Sequence, residues 1–315
     1  MNFADRLLTK TAETSPIVVG IDPNFSLMPK IFLPSSSDPG DARDALFDFS
    51  RAVIDSVHGL VATVKLQSAY YEQCGSLGIA ALARSMAYAR EKGLLVILDV
   101  KRGDIGATSN AYASAYLAGH TKLPGGLRLT SDLEADAITV NPFLGEDTLQ
   151  SFVDLAMEHE KGIFILVKTS NPGSGMLQDK VIDGASLSER LAEMVHRLGL
   201  KGGIGTMGYS SVGAVVGATY PAEAARLRAK MPRAIHLVPG IGAQGGDIET
   251  TKANFDANGR GAIIPISRAI TYPSNRALSR EEYGRTLGNT VEKYRRMLDI
   301  LALGVGRADT GRVLT

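Results

Sequence analysis

A chain of 315 residues, 44% of them hydrophobic, has the material for one large α/β domain or two ordinary ones. Its 34 basic and 33 acidic residues leave a net charge of +1, which excludes the electrostatic footprint of a nucleic-acid binder. A lone cysteine, Cys74, excludes a disulfide framework and a paired-cysteine metal site, and no apolar run approaches the roughly 20 residues needed to cross a bilayer. With an opening segment, MNFADRLLTKTAETS, too polar for a secretion signal, these features predict a cytoplasmic protein with neither membrane nor nucleic acid as partner.

Along the chain, short β-branched runs alternate with helical periods. PIVVGID (16–22) comes first, and Leu46, Phe49, Val53, Ile54 and Val57 follow at helical spacing. VATVKL (61–66) precedes the stripe Ile79, Leu82, Ala83 and Met86. LLVILDV (94–100) and DAITVN (136–141) precede Leu149, Phe152, Val153 and Ala156. GIFILVK (162–168) leads to Ser186-x-x-Glu189, a capping-box pattern that opens a helix carrying Leu187, Leu191, Met194, Val195 and Leu198. GAVVGA (213–218) leads to Pro221, suited to a first helical turn. IHLVPG (235–240) and GAIIPIS (261–267) precede a last helix with Tyr283, Leu287, Val291, Tyr294 and Leu298.

The strand runs are continuous rather than alternating, as expected of parallel strands covered on both faces. Eight of them alternating with helices, and no break in composition, predict a single (β/α)8 TIM barrel over 1–315, its core at about 16–300, with extended loops at the C-terminal face. An open, doubly wound sheet is the alternative. The long connections 26–41 and 169–185 are rich in Pro, Gly and Ser, and the tail 305–315 is predicted to be loosely ordered.

In such a barrel, reactive groups sit at the C-terminal edge of the strands. Those edges carry Asp22 after strand 1, Lys65 at strand 2, and Asp99 and Lys101 at strand 3. Asp99 and Lys101 are two apart, so on an extended backbone they project to one side. Lys65, on the neighbouring strand, stands beside them. Asp104 begins the following loop, placed to fold over the site or to reach a second subunit. Lys65, Asp99, Lys101 and Asp104, four charges converging on one region, predict a catalytic site, since clustered, partly buried charges are costly unless used; a structural ion-pair network is the alternative.

The run LDVKRGDIG resembles the Asp-x-Lys-x-x-Asp signature of orotidine 5′-phosphate decarboxylases, and DVKRGDIGATSNAYA closely resembles their type 2 bacterial branch. VVGIDPN, VKLQSAYYE, VNPFLGEDTL, VKTSNPGS, LVPGIGAQGGD and IIPISRAI also have counterparts in order, so the resemblance spans roughly 16–275. It implies removal of CO2 from orotidine 5′-phosphate to give UMP, with no cofactor and no metal. Lys101 would stabilise and protonate the carbanion at C6, and Asp99 would either strain the substrate carboxylate or hold Lys101 in place. Lys65 and Asp104 would complete the alternating array. Asp104 and Thr108 would come from the partner subunit of a homodimer with shared sites. Asp22 would accept from ribose hydroxyls, Ser170 would bond the pyrimidine amide edge, and Arg268 and Gln244 would hold the phosphate.

Simpler roles remain open for individual residues. Asp22-Pro23 and Ser170 before Asn171-Pro172-Gly173 could each initiate a turn, and Arg268 could serve a surface ion pair. The five histidines show no ligand spacing, Cys74 fits a buried or helix-start residue, and Tyr70-Tyr71 fit packing. Two rival functions are a Mg²⁺-dependent sugar-phosphate decarboxylase or aldolase of the same superfamily, and a non-catalytic nucleotide-binding barrel. The first places a carboxylate at the end of strand 2, where this chain has Lys65.

Overall fold

The computed structural model describes residues 1–241 and 247–306. Its central sheet comprises β1 (Ile17–Ile21), β2 (Thr63–Gln67), β3 (Leu95–Arg102), β4 (Ala137–Val140), β5 (Gly162–Lys168), β6 (Ser210–Val216), β7 (Ala234–Leu237) and β8 (Ala262–Ile266). The strands close in chain order into a barrel, every neighbouring pair parallel, so the chain is a TIM barrel and not an open sheet. All eight runs marked out by β-branched residues are these strands.

Around the barrel lie α2 (Pro39–Val57), α3 (Gly75–Glu91), α4 (Gly106–Ala113), α5 (Glu146–Glu158), α6 (Leu187–Lys201), α7 (Pro221–Lys230) and α8 (Arg280–Gly306), and α1 (Phe3–Glu13) precedes β1. The capping box is present: Glu189 N–H donates to Ser186 Oγ at 3.2 Å, and Ser186 N–H donates to Glu189 Oε2 at 2.8 Å. Pro221 opens α7 as expected. Helix α8 continues through 305 and 306, and the rest of the tail, 307–315, lies outside the described residues. No helix among the described residues is long and apolar enough to cross a membrane.

Side-chain parity along the strands sorts the molecule into an outer core, an inner core and a mouth. On β3, Val96 and Leu98 face outward and join Leu82, Met86 and the helix stripes, whereas Leu95 and Ile97 face the barrel axis. Both parities are apolar over most of the strand length, which explains runs that do not alternate. Toward the C-terminal edge the inward parity changes from apolar to polar. Leu95 and Ile97 give way to Asp99 and Lys101 on β3, and Ala137 gives way to Thr139 on β4.

The lower end of the barrel is closed by α1, an element that the strand pattern does not disclose. Asn2 caps it by accepting the N–H of Asp5 at 2.8 Å, and Phe3, Ala4, Leu7 and Leu8 are buried against Val18, Ile97, Phe164 and Ile263. Phe3 meets Phe164 edge to face with centroids 6.1 Å apart. The ring passes so close to β5 that a Cβ on Gly162 would lie 2.2 Å from it, which accounts for glycine there. Two antiparallel hairpins are further additions, His120–Lys122 with Arg128–Thr130 before β4 and Val181–Ile182 with Ala185–Ser186 before α6.

Candidate active site

Above Ile97 the barrel opens into a cavity of about 390 Å³, the size of a small-ligand site. Asp22, Lys65, Asp99, Lys101, Ser170 and Arg268 all line it, so six of the nine residues singled out in the sequence meet at one place.

Asp99 is the hub. Lys65 Nζ at 2.9 Å and Gln67 Nε2 at 3.0 Å donate to its Oδ2, while Lys101 Nζ at 2.6 Å and Thr139 Oγ1 at 2.8 Å donate to its Oδ1. Each carboxylate oxygen therefore accepts two hydrogen bonds. The β2–β3 register makes this possible by setting Gln67 opposite Asp99, and the long stem of Lys65 climbs from two pairs below, where it stands opposite Ile97.

Burial raises the energy of the Asp99 carboxylate, but the Lys65 and Lys101 ammoniums outweigh that effect and hold its pKa well below the usual carboxylate range. Burial likewise works against the Lys65 ammonium, and the nearby Asp99 and Asp22 carboxylates more than compensate, raising its pKa. The three charges differ in access. The side chains of Lys65 and Asp99 are 8% and 10% exposed, whereas that of Lys101 is 46% exposed and borders the open cavity.

Lys101 has a left-handed backbone, φ 46°, a conformation that costs a non-glycine residue roughly 1–2 kcal/mol. Its N–H donates to Thr139 Oγ1 at 2.9 Å. Asp22, across the cavity, has a buried Oδ1 with no hydrogen-bond partner among the described residues. Its backbone is fixed by Tyr272, whose hydroxyl donates to the Asp22 carbonyl and accepts the Asn24 N–H at 2.9 Å.

Ser170 sits where β5 gives way to the long loop. Gln178 clamps the residue before it, with Oε1 accepting Thr169 N–H and Nε2 donating to Thr169 Oγ1, both at 2.9 Å. At the end of β5 the fully buried Lys168 pairs with Asp179 of the same loop and, at 3.1 Å, with Glu223 in the first turn of α7. A Cβ on Gly217 would lie 2.9 Å from the Ser170 backbone, so only glycine lets the chain after β6 approach this closely. Loop 26–41 is also structural: Leu27 lines the cavity, and Phe32 is buried between Phe49 and Tyr283.

Arg268 opens the short helix Arg268–Thr271 after β8 and is exposed at the cavity rim. Asp104 and Thr108 do not join the cavity of their own chain. The Asp104 carboxylate accepts the Ile105 N–H at 2.8 Å, and Thr108 lies exposed in the first turn of α4. Gln244 lies outside the described residues.

Gln67 and Thr139 escape the strand-edge reading because they are uncharged, although the same two-residue parity points to both. Tyr70 corrects an expectation, since it lines the cavity, whereas Tyr71 is packed with its hydroxyl 2.7 Å from Ser50 Oγ. Cys74 stands at the start of α3, as a helix-start residue. Among the described residues no histidine lines the cavity, and no cluster of three His, Cys, Asp or Glu side chains has the arrangement of a metal site.

Residues 17–283 match the family described as orotidine 5′-phosphate decarboxylase / HUMPS. The chain is 43% identical to the orotidine 5′-phosphate decarboxylase of Rhodopirellula baltica over 288 residues, covering 90% of this chain and 91% of the relative. A solved chain from Toxoplasma gondii superposes with a TM-score of 0.80 at 28% identity, covering 97% of this chain and 99% of the other. The OMP decarboxylase of Leishmania donovani gives a TM-score of 0.73 at 28% identity, covering 96% and 99%.

Proposed function

The chain belongs to the orotidine 5′-phosphate decarboxylase / HUMPS family, and on that premise we propose that it converts orotidine 5′-phosphate to UMP and CO2, the last step of de novo UMP synthesis, in a single barrel domain without metal or cofactor. The observation that carries this reading is Lys101, the accessible end of a Lys65–Asp99–Lys101 row whose other two members are buried, facing a cavity of nucleotide size.

As the bond from C6 to the carboxylate breaks, CO2 departs and the electron pair stays on C6. A fixed ammonium beside that carbon opposes the growing charge and then transfers a proton to it, completing UMP. The resulting neutral amine regains its proton from water. A neutral acid would supply the proton without the field. Asp99 acts here as the holder of Lys101. Two ammoniums and two further donors surround it, so its charge is largely balanced, and this favours positioning over repulsion of the substrate carboxylate.

The unpartnered Asp22 Oδ1 suits ribose hydroxyls, and Ser170, on its clamped turn, suits the pyrimidine amide edge. Arg268 takes the phosphate at the β8 edge, where barrels commonly bind it, and Gln244 is assigned to the same group by the family resemblance alone. Asp104 and Thr108 serve the neighbouring site of a homodimer. Their exclusion from their own cavity supports this, as does the apolar rim beside them, with Ile105 63% and Phe143 78% exposed on adjacent loops. The single cysteine and the place of the reaction in nucleotide synthesis support a cytoplasmic setting.

The test is to mix the purified protein with orotidine 5′-phosphate in excess EDTA and to follow the loss of substrate absorbance and the appearance of UMP. Conversion at an undiminished rate is expected. Activity lost in EDTA and restored by Mg²⁺ would favour the metal-dependent relatives, and UMP binding without any turnover would favour a silent barrel. Arg268→Ala is expected to lower kcat/KM about 10- to 100-fold, the value of a charge-assisted phosphate contact. Steady-state kinetics check this, and an unchanged kcat/KM would move the phosphate elsewhere.

A further inference from the structure

We propose that Thr139 is a positioning residue that aims the Lys101 ammonium, an inference that rests on the decarboxylase reading above. Thr139 lies on β4 and is 1% exposed. Its hydroxyl donates its one proton to Asp99 Oδ1 at 2.8 Å and accepts the backbone N–H of Lys101 at 2.9 Å. The Lys101 ammonium returns to the same Oδ1 at 2.6 Å. Lys101 is thus pinned at both ends, its base directly by Thr139 and its tip through a carboxylate oxygen that Thr139 orients.

The sheet explains why a side chain is needed there. Leu98 pairs with Ile138 and Arg102 with Val140, so Asp99, Val100 and Lys101 stand opposite Thr139 alone. This bulge interrupts the ladder and swings Lys101 into the left-handed region. The threonine hydroxyl accepts the N–H that the regular ladder no longer pairs. Branching at Cβ restricts the Thr139 rotamer, so the hook itself is stiff. Lys101 therefore reaches the cavity at a set height and angle, and Thr139, 1% exposed in the cavity wall, acts through the Asp99–Lys101 pair.

The experiment compares the unsubstituted protein with Thr139→Val, which keeps the shape and removes both hydrogen bonds, and with Thr139→Ser, which keeps both. Thr139→Val is expected to lower kcat about 100-fold, the scale of an ångström misplacement, with KM and the calorimetric Kd for UMP within about threefold of the parent. Thr139→Ser is expected to retain kcat within about fivefold. Thermal unfolding verifies that each variant folds, and Thr139→Ala takes the place of Thr139→Val if the latter does not.

A kcat for Thr139→Val within about threefold of the parent overturns the proposal, as does an equal loss in Thr139→Ser or a loss confined to KM and Kd. Absence of turnover in the unsubstituted protein overturns the function itself and this inference with it. Normal parent turnover alongside an active Thr139→Val overturns the inference alone.

Discussion

Lys101→Ala is expected to lower kcat for orotidine 5′-phosphate by at least about 10⁴-fold, because in the proposed mechanism one group supplies both the field at C6 and the proton that finishes the product. UMP affinity should change little, since the groups proposed to hold ribose, base and phosphate, Asp22, Ser170 and Arg268, lie on other edges of the barrel. Lys65 is no substitute: its side chain is 8% exposed, and its ammonium is committed to the opposite oxygen of Asp99 at 2.9 Å. Steady-state kinetics paired with calorimetry of UMP separate the two quantities. A loss smaller than about tenfold would assign the proton to another donor.

The second large effect concerns stability. Asp99→Asn removes the carboxylate between two lysines and leaves Lys65 buried without its closest counter-charge, a loss of about 3–5 kcal/mol at pH 7 on the scale of broken buried pairs. The pH dependence follows from the direction of the shift. The Asp99 pKa is depressed in the folded protein, so the carboxylate's contribution is complete above the unfolded value of about 3.9 and is lost as pH falls toward the folded one. Denaturant titrations should therefore show a parent–variant gap that is full at pH 7 and shrinks below about pH 4. A gap under about 1 kcal/mol at pH 7 would mean that Lys65 does not depend on this partner.

Much of this architecture is written locally in the chain. Each barrel strand announces itself as a β-branched run, and two-residue parity anticipates Asp99 and Lys101 on one side, although Lys101 reaches that side on a left-handed rather than an extended backbone. Lys65 follows because β2 and β3 are consecutive and paired. Other features depend on long-range geometry. The three-against-one bulge that recruits Thr139 exists only in the pairing of β3 with β4. Lys168 finds Glu223 across two elements distant in sequence, and its neighbours in GIFILVK give no sign of it. Helix α1 carries a legible signal, Asn2 followed by Phe3, Ala4, Leu7 and Leu8, but its role as the barrel's stopper depends on Phe164 and Gly162 far along the chain.

The inward-facing parity also partitions the protein vertically. Phe3, Leu7, Val18 and Phe164 belong to an apolar lower storey, and the hydrogen bonds that converge on Asp99 all lie in the storey above. Heat tolerance can consequently be raised in the lower storey without touching the upper one, although Asp99 makes the upper storey a contributor to stability as well. Refilling the basement around α1 can harden the scaffold while the proposed reacting groups keep their places, whereas substitutions in the upper tier are expected to trade against catalysis.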